Sequence, residues 1–289
     1  MKRFLNSLFL LIFSASAVYA AGDTPFNRMQ KRFIKTLYEE SRYFDCIAET
    51  RRLQAEDYTP ELDYFIYMNY YLAGEFRTVA AGYNYSQSTP GPCSGFLVSM
   101  AYLRLGMYEE SHNTLKGYLY TGDQEQDTRL FLHRIKPLLL SGDINGMNAE
   151  ESAAEKFLKD DYNFTSLREE LARFREAGIK SPLKSSLMSA VVPGLGQLYS
   201  GYPGDGLISL ASVALTALGG VYMRNQGMEG YSYTLFFFSG LFHAGNIYGA
   251  WNSAERRNRE LIDDEYKLIE SRYGQYSPEE CIDIERLLN

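Results

Sequence analysis

The chain has 289 residues, and 29 Lys and Arg against 36 Asp and Glu leave it acidic by seven charges at neutral pH, which argues against a nucleic-acid-binding surface. Hydrophobic residues make up 45%, with 24 Tyr and 17 Phe but a single Trp, a content that disordered chains lack and that allows a folded core in two parts. Three Cys and three His leave little material for a zinc cage or a disulfide-dense scaffold.

Residues 1–20 read as a secretory signal peptide. Lys2 and Arg3 precede an apolar run from Phe4 to Phe13, and Val18 and Ala20 stand where a signal peptidase reads. The run is too short to span a bilayer. Cys46, Cys93 and Cys281 then lie in an exported, oxidising setting where thiols pair. Their odd number leaves at least one free or paired elsewhere. Cys46 and Cys93 form a candidate disulfide, with a buried, helix-packing Cys46 as the alternative.

Between residues 25 and 180 a short pattern recurs four times: a small residue, any residue, an aromatic or aliphatic residue, then a small or aliphatic residue three further on. The copies run from Ser41 through Tyr43 to Cys46, from Gly74 through Phe76 to Val79, from Gly106 through Tyr108 to Ser111, and from Gly142 through Ile144 to Met147. Their spacing of 33, 32 and 36 residues, with helical apolar patterning on either side, resembles the tetratricopeptide repeat. The resemblance implies antiparallel helix pairs that turn at Gly74, Gly106 with Tyr108, and Gly142, and that bind a peptide or protein partner rather than catalyse. Gln87 to Pro92, with two prolines around Gly91, forbids continuous helix. Tyr58, Tyr64, Tyr67, Tyr70 and Tyr71 either line a binding groove or fill interhelical space. Residues 149–178 read as one or two more amphipathic helices ending at Gly178.

At Pro182 the composition changes. From Leu183 to Trp251 the charged residues are Lys184, Asp205, Arg224 and Glu229. Gly206–Met223 and Gly230–Trp251 offer eighteen and twenty-two uncharged residues, each near the length that crosses hydrocarbon as a helix. Residues 181–252 therefore read as a glycine-rich membrane hairpin, with a buried hairpin of a soluble domain as the alternative. Before the first span stand Pro193, Gly194, Gly196, Gln197, Tyr199 and Gly201. This run resembles a widespread family of small bacterial membrane domains marked by Pro-Gly-x-Gly-Gln-x-Tyr-x-Gly, and the resemblance implies a membrane hairpin and no particular chemistry.

Asp205 reads as an N-cap for the first span. In the second span Gly240, Ala244, Gly245 and Gly249 have the spacing that lets helices touch backbone to backbone, within the hairpin or between protomers. His243 and Asn246 read as interhelical hydrogen-bonding residues or, alternatively, a functional site. Residues 253–289 form an amphipathic helical tail. Two crossings return this tail to the exported side, whereas Arg256, Arg257 and Arg259 favour the cytoplasm.

The sequence thus predicts an all-α protein: a tetratricopeptide-like solenoid, a two-helix transmembrane hairpin and a tail helix. The phosphate loop, the paired-Cys motif, the His-Glu-x-x-His helix and the nucleophile elbow do not occur in the chain. The reading is a non-enzyme without cofactor or metal. Its expected role is a membrane-anchored envelope scaffold with periplasmic repeats, partnered by a protein or peptide and the lipid bilayer but not by nucleic acid. The alternative is an oligomeric channel or transport accessory built from the hairpin.

Overall fold

The computed structural model describes residues 25–56, 58–82, 92–273 and 277–289, and these are helical throughout, without a strand. The predicted leader at residues 1–20 and the breaker at Gln87 to Pro92, except Pro92 itself, lie outside them. In chain order the helices are α1 (Pro25–Glu39), α2 (Tyr43–Glu56), α3 (Pro60–Leu72), α4 (Phe76–Gly82), α5 (Pro92–Arg104), α6 (Tyr108–Leu115), α7 (Gln124–Ser141), α8 (Ile144–Leu158) and α9 (Tyr162–Ala177). They continue with α10 (Pro182–Val191), α11 (Leu195–Tyr199), α12 (Pro203–Asn225), α13 (Glu229–Tyr273) and, after a 3-10 turn at Pro278–Cys281, α14 (Ile284–Leu288).

Ser41, Gly74, Gly106 and Gly142 all sit at helix ends with positive φ, between 58° and 82°. At each, the following amide donates back across the helix end: Arg42 to Leu37, Glu75 to Tyr70, Met107 to Tyr102 and Asp143 to Leu138, all at 2.9 Å. This left-handed cap satisfies carbonyls that a helix end leaves bare and reverses the chain. The next helix starts one or two residues later on Tyr43, Phe76, Tyr108 or Ile144, and the residue three positions further on, Cys46, Val79, Ser111 or Met147, is buried. Ser111 shows why a small residue is needed there: its hydroxyl bonds Ser99 across α5 and α6 at 2.8 Å.

The chain forms two compact units. The division falls inside α7 and not at 180/181: one unit comprises residues 25–121, 129–137 and 276–289, the other 122–128 and 138–275. The first has a core of Ile34, Leu37, Cys46, Leu53, Phe65, Met68, Val79 and Leu97. Tyr64 is buried, while Tyr67, Tyr70 and Tyr71 pack against this core. Interhelical filling thus accounts for the tyrosine cluster apart from Tyr58, which is exposed.

The last residues belong to the same core. Leu288 is buried in it, and Cys281, Ile284 and Leu287 pack against it. The Tyr64 hydroxyl donates to Pro278 O (2.8 Å), and Lys35 meets Glu285 at 2.6 Å. Cys93, on the first turn of α5, is bonded to Cys281. The candidate Cys46–Cys93 bridge is therefore incorrect. Cys46 is a free, buried thiol in the seam between α1 and α2, donating to Ile34 O. Burial raises its pKa to about 11, so it is an unreactive hydrophobe there.

His133 stacks on Phe96 with ring centroids 4.5 Å apart. Burial, helped by Lys136 and Arg129, pushes its pKa down to about 3 from an ordinary value near 6.5. The unfolded chain therefore takes up this proton first. Stability is complete above about pH 6.5 and falls as pH drops from 6.5 towards 3. His133→Phe is expected to flatten the pH dependence of the denaturation midpoint between pH 6.5 and 4, and an unchanged slope would contradict the buried neutral imidazole.

The second unit pairs α8 and α9 with a long helix. Glu170 of α9, fully buried, meets Arg272 near the end of α13. The second predicted span and the predicted tail helix are one uninterrupted helix of 45 residues, about 68 Å long at 1.5 Å per residue. Residues 277–289 do not continue it but join the other unit.

Candidate functional site

The Pro-Gly-x-Gly-Gln run forms a hydrogen-bonded polar cluster in the second unit. It lies at the bend between α10 and α11, against α12 and the middle of α13. Contacts along α10 fix its course: Lys180 N–H donates to Asn258 Oδ1 (2.7 Å), Ser185 Oγ to Ala250 O (2.8 Å), Ser186 Oγ to Ile247 O (3.2 Å), and His243 Nε2 meets Ala190 O (3.2 Å). Thus α10 runs antiparallel to α13 from position 258 down to position 243. The chain then bends at Val192–Gly194, and α11 climbs back until the Tyr202 hydroxyl donates to Glu260 (2.7 Å).

At the bend the N–H groups of Gly194 and Gly196 both find side-chain partners, as a chain break away from water requires. The Gly194 N–H donates to Asn246 Oδ1 (3.0 Å). The Gly196 N–H donates to Ser189 Oγ (2.9 Å), and Ser189 Oγ donates to Gln197 Oε1 (2.9 Å). Gln197 Nε2 donates to Asn246 O (3.0 Å) and Oδ1 (2.9 Å). The hydroxyls of Ser185 and Ser200 both reach Gly196 O at 2.9 Å. Asn246→Leu would strand the Gly194 N–H and the Ser189 carbonyl, to which Asn246 Nδ2 donates (3.3 Å), and would leave the Gln197 amide on the backbone O of residue 246 alone. At 1–3 kcal/mol for each buried group left unpaired, we expect a loss of about 2–5 kcal/mol in a thermal or denaturant unfolding series, with Asn246→Gln intermediate.

Two glycines make the approach possible. Gly194 has φ 86°, and a Cβ on it would overlap the backbone of Gly206. A Cβ on Gly196 would overlap Ser185 O and lie 2.8 Å from Ala250 Cβ. Tyr199 and Gly201 finish the run. The Tyr199 ring has Lys180 and Lys184 ammonium groups 5.3 and 5.0 Å from its centroid, and Gly201 turns the chain with φ 88°.

Helix α10 is inverted relative to a helix in water. Its polar residues Ser185 and Ser189 are 0% exposed, while Leu183, Leu187 and Val191 are 59, 59 and 81% exposed. Helix α13 repeats the inversion. Ser232, Ser239, Asn246 and Ser253, spaced by sevens, are all buried. Ser232 donates to Gly220 O (2.8 Å) and Ser239 to Val213 O (3.2 Å) on α12. Tyr231, Tyr233, Phe237, Phe238, Leu241 and Tyr248 are exposed.

This polar seam is a seven-residue repeat in the sequence. The expected packing stripe turns outward: Gly240 and Gly245 meet nothing within 4 Å, Ala244 is exposed, and Gly249 meets only Gln197. Burying the seam fixes the rotation of α13, so close approach falls to Gly194, Gly196, Gly206, Gly220 and Ala250. Asp205 is not the N-cap of α12. Tyr202 occupies that position with Pro203 after it, and Asp205 pairs with Arg256 (3.1 Å).

By length and composition α12 is the one helix among the described residues suited to crossing a membrane. Comparison of the chain with family models, with curated proteins and with solved structures finds no match. Among the described residues no group of three or more His, Cys, Asp or Glu side chains could hold a metal ion. His243 and Asn246 both make interhelical hydrogen bonds, to Ala190 and Gly194.

Proposed function

We propose that the protein is a membrane-anchored scaffold of the bacterial envelope, whose tetratricopeptide-like helix pairs bind a protein or peptide partner on the exported side. The observation that carries the anchor is the inversion of α10 and α13, with hydroxyls and amides inward and Leu, Val, Phe and Tyr outward, beside an α12 that exposes Leu207, Ile208, Leu215 and Leu218. Water penalises that arrangement, and hydrocarbon favours it. On this reading α12 and the first part of α13 cross the bilayer. The 10-residue α10, about 15 Å long, enters to roughly half of the ~30 Å core and returns through α11. A re-entrant bend is tolerated when protein covers its polar groups, as Asn246, Gln197 and Ser189 do here.

Two features support an even number of crossings and an exported location. The bonds between Lys180 and Asn258 join the two flanks of the hairpin, which fits flanks on one side. The Cys93–Cys281 bond joins residues before and after the hairpin and belongs to an oxidising compartment, which outweighs the cytoplasmic bias of Arg256, Arg257 and Arg259. The polar seam is satisfied within one chain, and this favours an anchor over a pore lined by the same residues.

For the partner, α1 exposes Phe26, Met29 and Phe33 at the i, i+3, i+7 spacing of one helix face, and α2 exposes Phe44. Such apolar positions on a helix-pair surface suit a peptide or helix partner. In cells carrying the full chain, a photo-crosslinker at Phe33 is expected to give a discrete adduct that Met29→Ser weakens, in membranes that retain the chain after carbonate washing. Absence of any adduct from Phe26, Phe33 and Phe44 would contradict partner binding through this face.

A further inference from the structure

We propose that the groove between the first two turns of α12 and residues 249–259 of α13 binds the phosphodiester headgroup of a membrane glycerophospholipid; this rests on the membrane reading above. The groove has a volume of about 470 Å³ and is lined by Gln197, Asp205, Ser209, Asn252, Arg256 and Arg259 among others, the size range of small-molecule sites.

Its level is fixed by its surroundings. On one side stand the exposed Leu207, Ile208, Tyr248 and Trp251, on the other Glu255, Arg256 and Glu260. In a bilayer this is the boundary between acyl chains and headgroups, where basic pockets between helices take lipid phosphates. An acyl chain would leave the groove along Leu207 and Ile208.

The lining supplies what a phosphodiester needs. Arg256 is held in place, stacked 3.7 Å from the Tyr202 ring centroid and paired with Asp205 (3.1 Å). Among the described residues Arg259 pairs with Glu255 alone, at 3.9 Å, so its guanidinium can turn to a phosphate oxygen, the forked geometry it suits best. The Ser209 hydroxyl and the Asn252 amide make no hydrogen bond among the described residues and face the same groove. Asp205 lies where the ammonium of a phosphoethanolamine would also find a partner.

The test uses the full chain purified in detergent, titrated with phosphatidylglycerol, phosphatidylethanolamine or diacylglycerol of the same chains, with bound lipid counted by native mass spectrometry. Both phospholipids are expected to bind and diacylglycerol is not. Arg259→Gln with Asn252→Leu is expected to weaken phospholipid binding about tenfold, the loss of a charge-assisted hydrogen bond, while Arg257→Gln leaves it unchanged. Glycerol phosphate binding as tightly as the lipids would make this a soluble-phosphate site and overturn the proposal, as would equal binding of diacylglycerol or an unaffected double variant. Carbonate extraction of the same proteins separates the two failures. A wild-type chain that washes off overturns the membrane reading and this site together, whereas a retained chain without phosphate-dependent binding overturns the site alone.

Discussion

Gly196→Val is expected to prevent the second unit from folding, seen as loss of the full-length chain from membranes and of a cooperative unfolding transition in detergent. The added carbons would overlap the Ser185 carbonyl and press on Ser189 and Ala250. All three are fixed: Ser185 and Ala250 are fully buried in the α10–α13 contact, and Ser189 bonds both the Gly196 N–H and Gln197. Overpacking against backbone that cannot give way exceeds the ordinary 1–3 kcal/mol of such changes. Gly194→Val adds the penalty of a branched residue at positive φ. Gly201→Ala is the internal control. It has the same left-handed backbone, with φ 88°, but meets nothing within 4 Å, so it should cost only about 1 kcal/mol. Equal tolerance of Gly196→Val and Gly201→Ala would show that the bend is not packed as described.

Cys281→Ser is expected to lower the stability of the first unit by about 2–5 kcal/mol, read as a shift of its urea midpoint that reductant reproduces in the wild type. The bond spans 188 residues, and closing so long a loop restricts the unfolded chain strongly. It also holds Ile284, Leu287 and Leu288 on the core formed by α1 to α5, which supplies much of their cover. Cys46 should behave in the opposite way. With its thiol buried and its pKa raised to about 11, it should resist alkylation at pH 8 until the chain unfolds. Rapid alkylation of the native chain at Cys46, or a Cys281→Ser midpoint equal to that of the wild type, would contradict this pairing.

The features legible in the sequence are those set by local backbone chemistry. Gly74, Gly106 and Gly142 mark turns because a left-handed cap selects glycine, and Ser41 fills the same role at the cost of a positive φ. The small or aliphatic residue after each turn is buried for a reason that its spacing already carries. The lengths of the uncharged runs likewise mark the apolar helices.

What was not legible depends on contacts distant in sequence. Nothing near Cys93 distinguishes Cys281 from Cys46 as its partner. The continuity of α13 through Trp251 and Asn252 follows from the absence of a breaker there, yet the change from apolar to charged composition suggested a boundary. Glu170 of α9 meets Arg272 of α13, a pairing that neither residue announces. At the site itself, Gln197 belonged to the recognised motif, but its partners Ser189 and Asn246 come from different helices. The repeat of Ser232, Ser239, Asn246 and Ser253 was open to inspection. Its polar side chains need to be hidden and so set the buried face of α13, whereas Gly240 and Gly245 meet nothing within 4 Å.

Depth of burial in the bilayer tests the central claim most directly. Trp251 is the only tryptophan, so the native chain and, in a Trp251→Phe background, Leu215→Trp and Val191→Trp each report one position in vesicles of brominated lipid. Trp251 is expected to be quenched best by bromines near the headgroup. Leu215→Trp, midway along α12, and Val191→Trp, at the tip of α10, are expected to be quenched best by bromines deep in the acyl chains. Deep quenching at position 191, nine residues from Pro182, would establish the re-entrant helix, whereas a chain whose tryptophans are untouched by bromine at any depth would show that residues 182–251 do not enter the bilayer.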